Sequence, residues 1–275
     1  MIALKKSFAA VLLTVLIGFS ATALSAPTAT LIPFWEPHNE KNTATIDHSL
    51  WQSILSKYIV SPHKSGVNRF DYGRVSDQDK STLTLYLNTQ TALNPRKYSR
   101  AEQKAYWINL YNALTVNLII QAYPAESITK LGESFFSFGP WDDVITEVQG
   151  QELTLNNIEH GILRPIYKDN RIHYAVNCAS YGCPNLSQTA YTAENTNALL
   201  NTGAHAYVNH QRGVHFNDEQ LVVSSIFHWY KVDFGDSNET LLMHLSRHAE
   251  PELAKRLDNY QGEVEHIYDW SLNKP

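Results

Sequence analysis

Apolar side chains recur at helical spacing over much of the chain. In residues 46–59 they stand three or four positions apart, at Leu50, Trp51, Ile54, Leu55 and Tyr58. This spacing is typical of an amphipathic helix with one buried face. The same pattern predicts further helices over about residues 79–93, 155–163, 193–210, 224–229, 238–248 and 251–259.

The longest predicted helix covers residues 100–123. Ser99 followed by Glu102 matches a capping box, in which the two side chains satisfy backbone N–H groups of the first turn. Pro124 ends the helix, because proline has no N–H and clashes with the preceding turn. We expect this helix to lie at the centre of the fold.

A narrow polar stripe runs along this otherwise apolar helix. At about 100° per residue, Glu102, Asn109 and Asn112 fall within roughly 80° of one another. Polar groups inside a protein need partners. One interpretation is that the three side chains are buried and face His160 or His173 in a pocket. The other is structural: the carboxylate closes the capping box and the two amides brace neighbouring loops.

Short segments of alternating or β-branched residues predict strands. Two hairpins are expected, one from residues 144–148 with 152–154 and one from residues 214–216 with 221–223. The alternation over 171–177 predicts a further strand. Because helices and hairpins follow each other without regular βαβ order, the fold class is α+β, a mainly helical single domain with a small antiparallel sheet.

The first 23 residues differ from the rest of the chain. Lys5 and Lys6 precede an apolar run, and small residues follow up to Ala23, which is typical of a cleaved secretory signal. We therefore expect a signal peptide over residues 1–23, an extended lead-in over 24–45 and a single globular domain over 46–275. The mature protein is expected to be periplasmic or secreted.

Composition narrows the class of protein. The chain has 275 residues, 43% of them hydrophobic, which favours a real core over a disordered chain. The formal net charge of −5 argues against nucleic acid as a partner, because phosphate binding needs a basic surface. Beyond the signal no second apolar run reaches spanning length, so no stable membrane span is expected after cleavage.

The two cysteines, Cys178 and Cys183, are the strongest chemical feature and have competing interpretations. In an oxidising compartment, a pair this close is a possible disulfide that closes a small loop. Alternatively, Cys178 is a thiolate nucleophile served by His173 or His160. In that case Glu102 or Asn109 would orient the imidazole.

A third interpretation is a zinc site, because His160, His173 and the two cysteines are suitable ligand types. The spacing argues against it, so we expect no metal. Motifs of the nucleophile elbow, the Walker loop and the dinucleotide fingerprint are absent from the sequence. Their absence argues against a serine hydrolase of that type, a nucleotidase or a Rossmann oxidoreductase. We also expect no cofactor.

Four segments carry a recognisable series of motifs: Glu102–Ala113, Ile158–Arg164, Arg171–Ala175 continued to Cys178 and Cys183–Pro184, and Phe227–Phe234. In this order they resemble the family of domain of unknown function 547 (DUF547), over about residues 98–235. In plant relatives the position of Cys178 is more regularly cysteine than that of Cys183. The resemblance therefore implies that the family motif does not serve to form a disulfide.

Carried over by position, the resemblance implies a candidate site of eight residues: Glu102, Asn109, Asn112, His160, Arg164, Arg171, His173 and Cys178. The first functional hypothesis is a cysteine-dependent hydrolase or acyl transferase that acts on amide-type bonds in the periplasm, with Arg164 or Arg171 holding a substrate carboxylate. The alternative is a non-catalytic module that binds a peptide or small molecule and contains a structural Cys178–Cys183 disulfide.

Overall fold

The computed structural model describes residues 27–132 and 138–275, so the predicted signal peptide lies outside the described residues. Within them the chain forms α1 (Ser49–Tyr58), α2 (Asp77–Ala92), α3 (Arg100–Ala122), α4 (Arg164–Tyr167), α5 (Thr196–Val208), α6 (Ile226–Trp229), α7 (Asn238–His248) and α8 (Pro251–Asp258). A π-helical segment, Asn157–Leu163, directly precedes α4. The helices predicted from apolar spacing are thus present, with ends shifted by a few residues.

The described strands are short: β1 (Ile59–Val60), β2 (Arg69–Phe70), β3 (Thr146–Val148), β4 (Gln151–Leu153), β5 (Val214–Asn217), β6 (Gln220–Ser224) and β7 (Val264–Ile267). The first two pairs and β5–β6 are antiparallel hairpins. They include both predicted hairpins. β7 pairs with β6 in the parallel direction, so the largest sheet is mixed. The mainly helical α+β fold class is confirmed.

α3 forms the centre of the larger core. Its side chains are buried on nearly all sides, including Trp107, Leu110 and Tyr111, as expected for a helix that is apolar around most of its circumference. The lead-in contributes Trp35, which packs edge-on against Trp107 with 4.9 Å between ring centroids. A second, smaller core surrounds Tyr207 and Phe227 and holds α5, α7 and the β5–β6 hairpin together.

The strand predicted over 171–177 is wrong, because residues Asn170–Tyr174 form a 3-10 helix. The Asp169 side chain accepts a hydrogen bond from the Arg171 N–H at 3.1 Å and caps this turn. A local side-chain cap of this kind competes with extended structure. Arg171 and His173 therefore do not share the face of a strand.

The helix that carries His160 continues past its predicted end at residue 163. Its π segment passes directly into α4, and Pro165 lies inside the continuous helix. The Arg164 N–H bonds to the carbonyl of Glu159, five residues back, which is the spacing of a π turn. Pro165 contributes no N–H to the helical ladder, in a π turn as in an α-helical one.

The lead-in lies along this π segment and satisfies its free carbonyls. Thr30 N–H donates to the His160 carbonyl and Ile32 N–H to the Gly161 carbonyl, both at 2.9 Å. Pro165 has no N–H to offer these carbonyls, and the lead-in supplies a donor to each of them in a buried part of the protein. The lead-in is therefore a structural part of the site region.

Candidate functional site

A cavity of about 650 Å³ opens beside α3 and the π segment. Its lining includes four of the residues singled out in the sequence: His160, His173, Cys178 and Cys183. Its aromatic walls come from separate parts of the chain: Tyr111, Phe138, Trp141, Trp229, Tyr230, Tyr268 and Trp270. A cavity of this size with aromatic walls and a few polar groups is the usual form of a small-ligand site.

The two cysteines form a disulfide in the wall of this cavity. The Tyr268 hydroxyl lies 3.2 Å from both sulfur atoms, and Ser180 Oγ lies 3.2 Å from Cys178 Sγ. Of the three interpretations of the cysteine pair, the structure therefore agrees with the disulfide. With its sulfur bonded to Cys183, Cys178 is not the thiolate that the catalytic hypothesis requires, and neither cysteine is available to zinc.

Asn112 positions the chain that enters the disulfide loop. Its amide donates to the Ala175 carbonyl at 2.9 Å and its oxygen accepts from the Asn177 N–H at 2.8 Å. The Asn177 side chain in turn donates to the Pro184 carbonyl at 2.7 Å, across the base of the loop. Asn112 of the central helix thus fixes the start of the segment that carries the disulfide, and Asn177 ties that start to its end.

The rest of the polar stripe braces other loops. Asn109 donates to the Tyr191 carbonyl at 2.7 Å and accepts from its N–H at 3.0 Å, while Glu102 accepts from the Ile46 N–H at 3.0 Å. Glu102, Asn109 and Asn112 are buried, as predicted. The expectation that they face His160 or His173 is wrong, because their hydrogen bonds go to backbone groups of distant segments.

His173 lies between two carboxylates. Its Nε2 is 2.7 Å from Asp233 Oδ2, and its Nδ1 is 3.6 Å from Glu159 Oε1. Burial by itself lowers the pKa of His173, but the hydrogen bond to Asp233 and the charge of Glu159 outweigh it and raise the pKa. An imidazole held in its charged form is a hydrogen-bond donor and is not a base for a neighbouring thiol.

His160 is held in its neutral form. Arg164 Nη1 donates to His160 Nδ1 at 3.0 Å, so this hydrogen bond assigns the ring proton to Nε2. Burial lowers the pKa of His160, and the positive charge of Arg164 lowers it further, although Glu159 acts in the opposite direction. His160 therefore contributes a neutral ring and an N–H donor to the cavity lining.

Glu159 and Asp233 complete a buried network with balanced charge. Burial would raise the pKa of Glu159, but the positive charge of His173, whose Nδ1 lies 3.6 Å from Glu159 Oε1, helps to hold it well below its usual range. Asp233 accepts from Arg164 Nε at 2.6 Å as well as from His173. Two carboxylates thus face one guanidinium and one imidazolium, which is how buried charges are normally tolerated.

The two arginines predicted to bind a substrate instead form ion pairs with other residues of the protein. Arg164 bonds to Asp233, and Arg171 forms a two-point ion pair with Asp169 at 2.9 Å from each nitrogen. Arg171 Nη1 also donates to Asn201 at 2.6 Å. Neither arginine lines the cavity, so the expected role of holding a substrate carboxylate does not fit this structure.

Sequence reasoning missed Glu159, Asp233 and the aromatic walls of the cavity. A signal for the two acids was available, since Glu159 lies in the segment 158–164 and Asp233 in the segment 227–234 that carry the family resemblance.

Within residues 27–132 and 138–275, no group of three or more His, Cys, Asp or Glu is arranged to hold a metal ion. None of the described helices combines the length and apolar character needed to cross a bilayer.

Comparison with known proteins identifies one family. Residues 95–208 match the family model described as protein of unknown function, DUF547. The matched region contains α3, the π segment and the disulfide loop, whereas Asp233 and Trp270 lie beyond it. Searches of curated proteins and of solved structures found no match. The match over residues 95–208 therefore supports the resemblance to the DUF547 family that the sequence motifs indicate.

Proposed function

We propose that this protein binds a peptide or small-molecule ligand in the aromatic cavity and that the Cys178–Cys183 disulfide is part of the binding wall. The observation that carries the proposal is the cavity itself, about 650 Å³, whose lining joins a cluster of partly exposed rings to a charge-balanced polar network. Burying such rings against a ligand is favourable, and the polar groups would fix its orientation.

Trp270 is the centre of the aromatic wall. Its ring centroid lies 5.6 Å from Trp141, 5.4 Å from Trp229, 5.3 Å from Phe138 and 4.5 Å from Tyr268. These rings come from three segments that are distant in the sequence. Their arrangement offers flat apolar faces, so the ligand that fits best has a planar or ring-shaped apolar part.

Polar groups at the same cavity suit the other part of such a ligand. His160 supplies an N–H donor, and Asn156 donates to Asp142 at 2.7 Å on the lining, which leaves further carboxylate and amide acceptors for a ligand. Amides and hydroxyls are complementary to this mixture of donors and acceptors. Peptides and cell-wall fragments, which combine rings with amides, are the natural periplasmic candidates.

The proposal includes export to an oxidising compartment. It is supported by the predicted secretory signal over residues 1–23 and by the disulfide, since disulfides persist mainly outside the cytosol. The intact mass of the mature protein tests this part. A soluble species that retains the first 23 residues would contradict it.

Tryptophan fluorescence and calorimetry test the binding function. Three probes should be titrated into oxidised protein: a peptidoglycan disaccharide-tetrapeptide, the tetrapeptide alone and a chitin tetrasaccharide. We expect saturable binding of at least one probe and a loss of at least tenfold in affinity in Trp270→Ala. Met243→Ala, which removes an exposed apolar side chain on α7, is the control and should bind as the wild type does.

The binding proposal fails if none of the three probes binds saturably, or if Trp270→Ala binds as well as the wild type. A loss in both Trp270→Ala and Met243→Ala would indicate general destabilisation, and it would be recognised by comparing their unfolding free energies. The three probes also separate recognition of the sugar from recognition of the peptide.

A second candidate function is thiol chemistry after reduction of the disulfide. It is favoured by the two hydroxyl groups, of Ser180 and Tyr268, that lie 3.2 Å from Cys178 Sγ and could stabilise a thiolate there. Mild reduction followed by alkylation and an amide-hydrolysis assay tests it. Product formed by reduced wild type but not by reduced Cys178→Ala would favour this candidate over binding alone.

A further inference from the structure

A second, smaller cavity of about 300 Å³ lies beside the disulfide loop, separate from the charge-balanced network of the first. Its lining combines a buried cation with polar and aromatic groups: Tyr181, Gly182, Gln211, Arg212, His215 and Asp269. Tyr268 lies in the lining of both cavities, but the binding function proposed above gives no role to Arg212.

Arg212 is the unusual residue of this lining. Its side chain is buried, with 7% relative exposure, and Nη2 donates to Asn185 Oδ1 at 2.8 Å. The other two nitrogens, Nε and Nη1, have no hydrogen-bond acceptor among the described residues. Arg212 also forms no salt bridge with a carboxylate of the described residues. A buried cation without a counter-ion is costly to keep.

A second arginine adds to the positive charge. Arg69 lies 4.5 Å and Arg212 6.0 Å from the ring centroid of Tyr181, and Arg212 lies 5.4 Å from that of Tyr207. Burial lowers the pKa of Arg212, and the charge of Arg69 lowers it further. The tyrosine rings attract both cations but carry no net charge, so they do not neutralise Arg212.

The geometry points to a small oxyanion, a phosphate or carboxylate group, as the ligand of this cavity, held by the Arg212 guanidinium. A guanidinium matches the two oxygens of such a group better than any other side chain does. Asp269 is the acid in the lining of this cavity. Its Oδ1 accepts from the Ser271 N–H at 2.8 Å, and no salt bridge within the described residues joins it to Arg212.

Calorimetric titration with inorganic phosphate, and separately with succinate, tests the site and distinguishes the two sources of the oxyanion. We expect saturable binding of at least one probe to the wild type and at least a tenfold loss of affinity in Arg212→Met. Lys255→Gln removes one exposed positive charge on α8 and should bind as the wild type does. Asp269→Asn should bind more tightly, because it removes a repelling charge.

The proposal is overturned if neither probe binds saturably, or if Arg212→Met and the wild type bind equally. Should Arg212→Met not fold, NMR of the arginine Nε–H groups in the wild type decides the question. The Arg212 signal is expected to shift on addition of phosphate or succinate, and an unchanged signal at saturating probe would refute the site. Because the variants lie outside the aromatic cavity, this outcome is independent of the binding function proposed above.

Discussion

Asp233 and His173 are 60 residues apart in the chain, and Asp233 Oδ2 lies 2.7 Å from His173 Nε2. This contact joins the 3-10 helix before the disulfide loop to a second 3-10 helix at Lys231–Phe234. Together with Glu159 it favours the charged imidazole, because burial alone would lower the pKa of His173. The same carboxylate oxygen accepts from Arg164, so one acid anchors two cations.

Replacing Asp233 by Asn should cost about 3 kcal/mol of unfolding free energy near pH 6, since it leaves two buried cations without their shared acid. The pKa of His173 is raised above 6.5 in the folded protein. Its contribution to stability is therefore complete below about pH 6.5 and is lost as the pH rises through the folded pKa. The difference between wild type and Asp233→Asn should narrow in alkaline solution.

Urea denaturation across the pH range measures this difference. Asp236→Asn is the matched control, because Asp236 is exposed and has a φ of 62°, which asparagine tolerates. It should change stability by less than about 0.5 kcal/mol at every pH. A cost for Asp233→Asn that stays constant from acid to alkaline pH would refute the assigned charge of His173.

His48 should produce the opposite pH dependence. Its Nδ1 lies 2.8 Å from the Tyr86 hydroxyl, and burial lowers its pKa to about 4. Above pH 6.5 the residue is neutral in both folded and unfolded protein, whereas below it only the unfolded chain takes up the proton. Acidification towards pH 4 should therefore cost about 3 kcal/mol, and His48→Leu should flatten this slope. An NMR titration that places the pKa of His48 near 6.5 would contradict the prediction.

Asn109→Leu should destabilise the protein by about 2 kcal/mol, because it strands the buried N–H and carbonyl of Tyr191. Asn88→Leu on α2 makes the same chemical change at an exposed helical position and should cost almost nothing. Chemical denaturation of the two variants provides the comparison. Equal costs would show that the hydrogen bonds to Tyr191 contribute little.

Gly161 permits the lead-in to approach the π segment. A Cβ at this position would clash with Ile32 Cδ1, so Gly161→Ala should displace Ile32 and cost about 1 kcal/mol despite the better helix propensity of alanine. In an Ile32→Ala background the same change should be neutral or stabilising. A double-mutant cycle measures the coupling. Additive effects would mean that the steric contact is unimportant.

Removing the disulfide with Cys178→Ser and Cys183→Ser together should lower the unfolding free energy by about 2 kcal/mol, the value expected for so short a loop. Thermal and urea denaturation of oxidised wild type and the double variant measure it. Alkylation in denaturant without a reductant is the control for its redox state, because Cys183 is buried in the folded protein. Labelling of both cysteines in oxidised protein would contradict the disulfide.

The sequence by itself determined the features that arise from neighbouring residues. The spacing of apolar side chains located α1, α2 and α3, and the Ser99 cap is present, with its hydroxyl accepting from the Glu102 N–H at 3.3 Å. Turn residues located both hairpins. The sequence also determined that the polar stripe of α3 is buried, because a narrow polar stripe on so apolar a helix has little access to water.

Only the tertiary structure decided what the polar groups bind. Asn112 could pair with any nearby donor and acceptor, and the packing of the disulfide loop against α3 selected Ala175 and Asn177. The five residues of the 3-10 helix at 170–174 are too few for periodicity to separate it from a strand. The charge of His173 depends on Asp233, which is 60 residues away in the chain. The pKa values of such groups are set by their burial and by the distances between them, and both exist only in the folded chain.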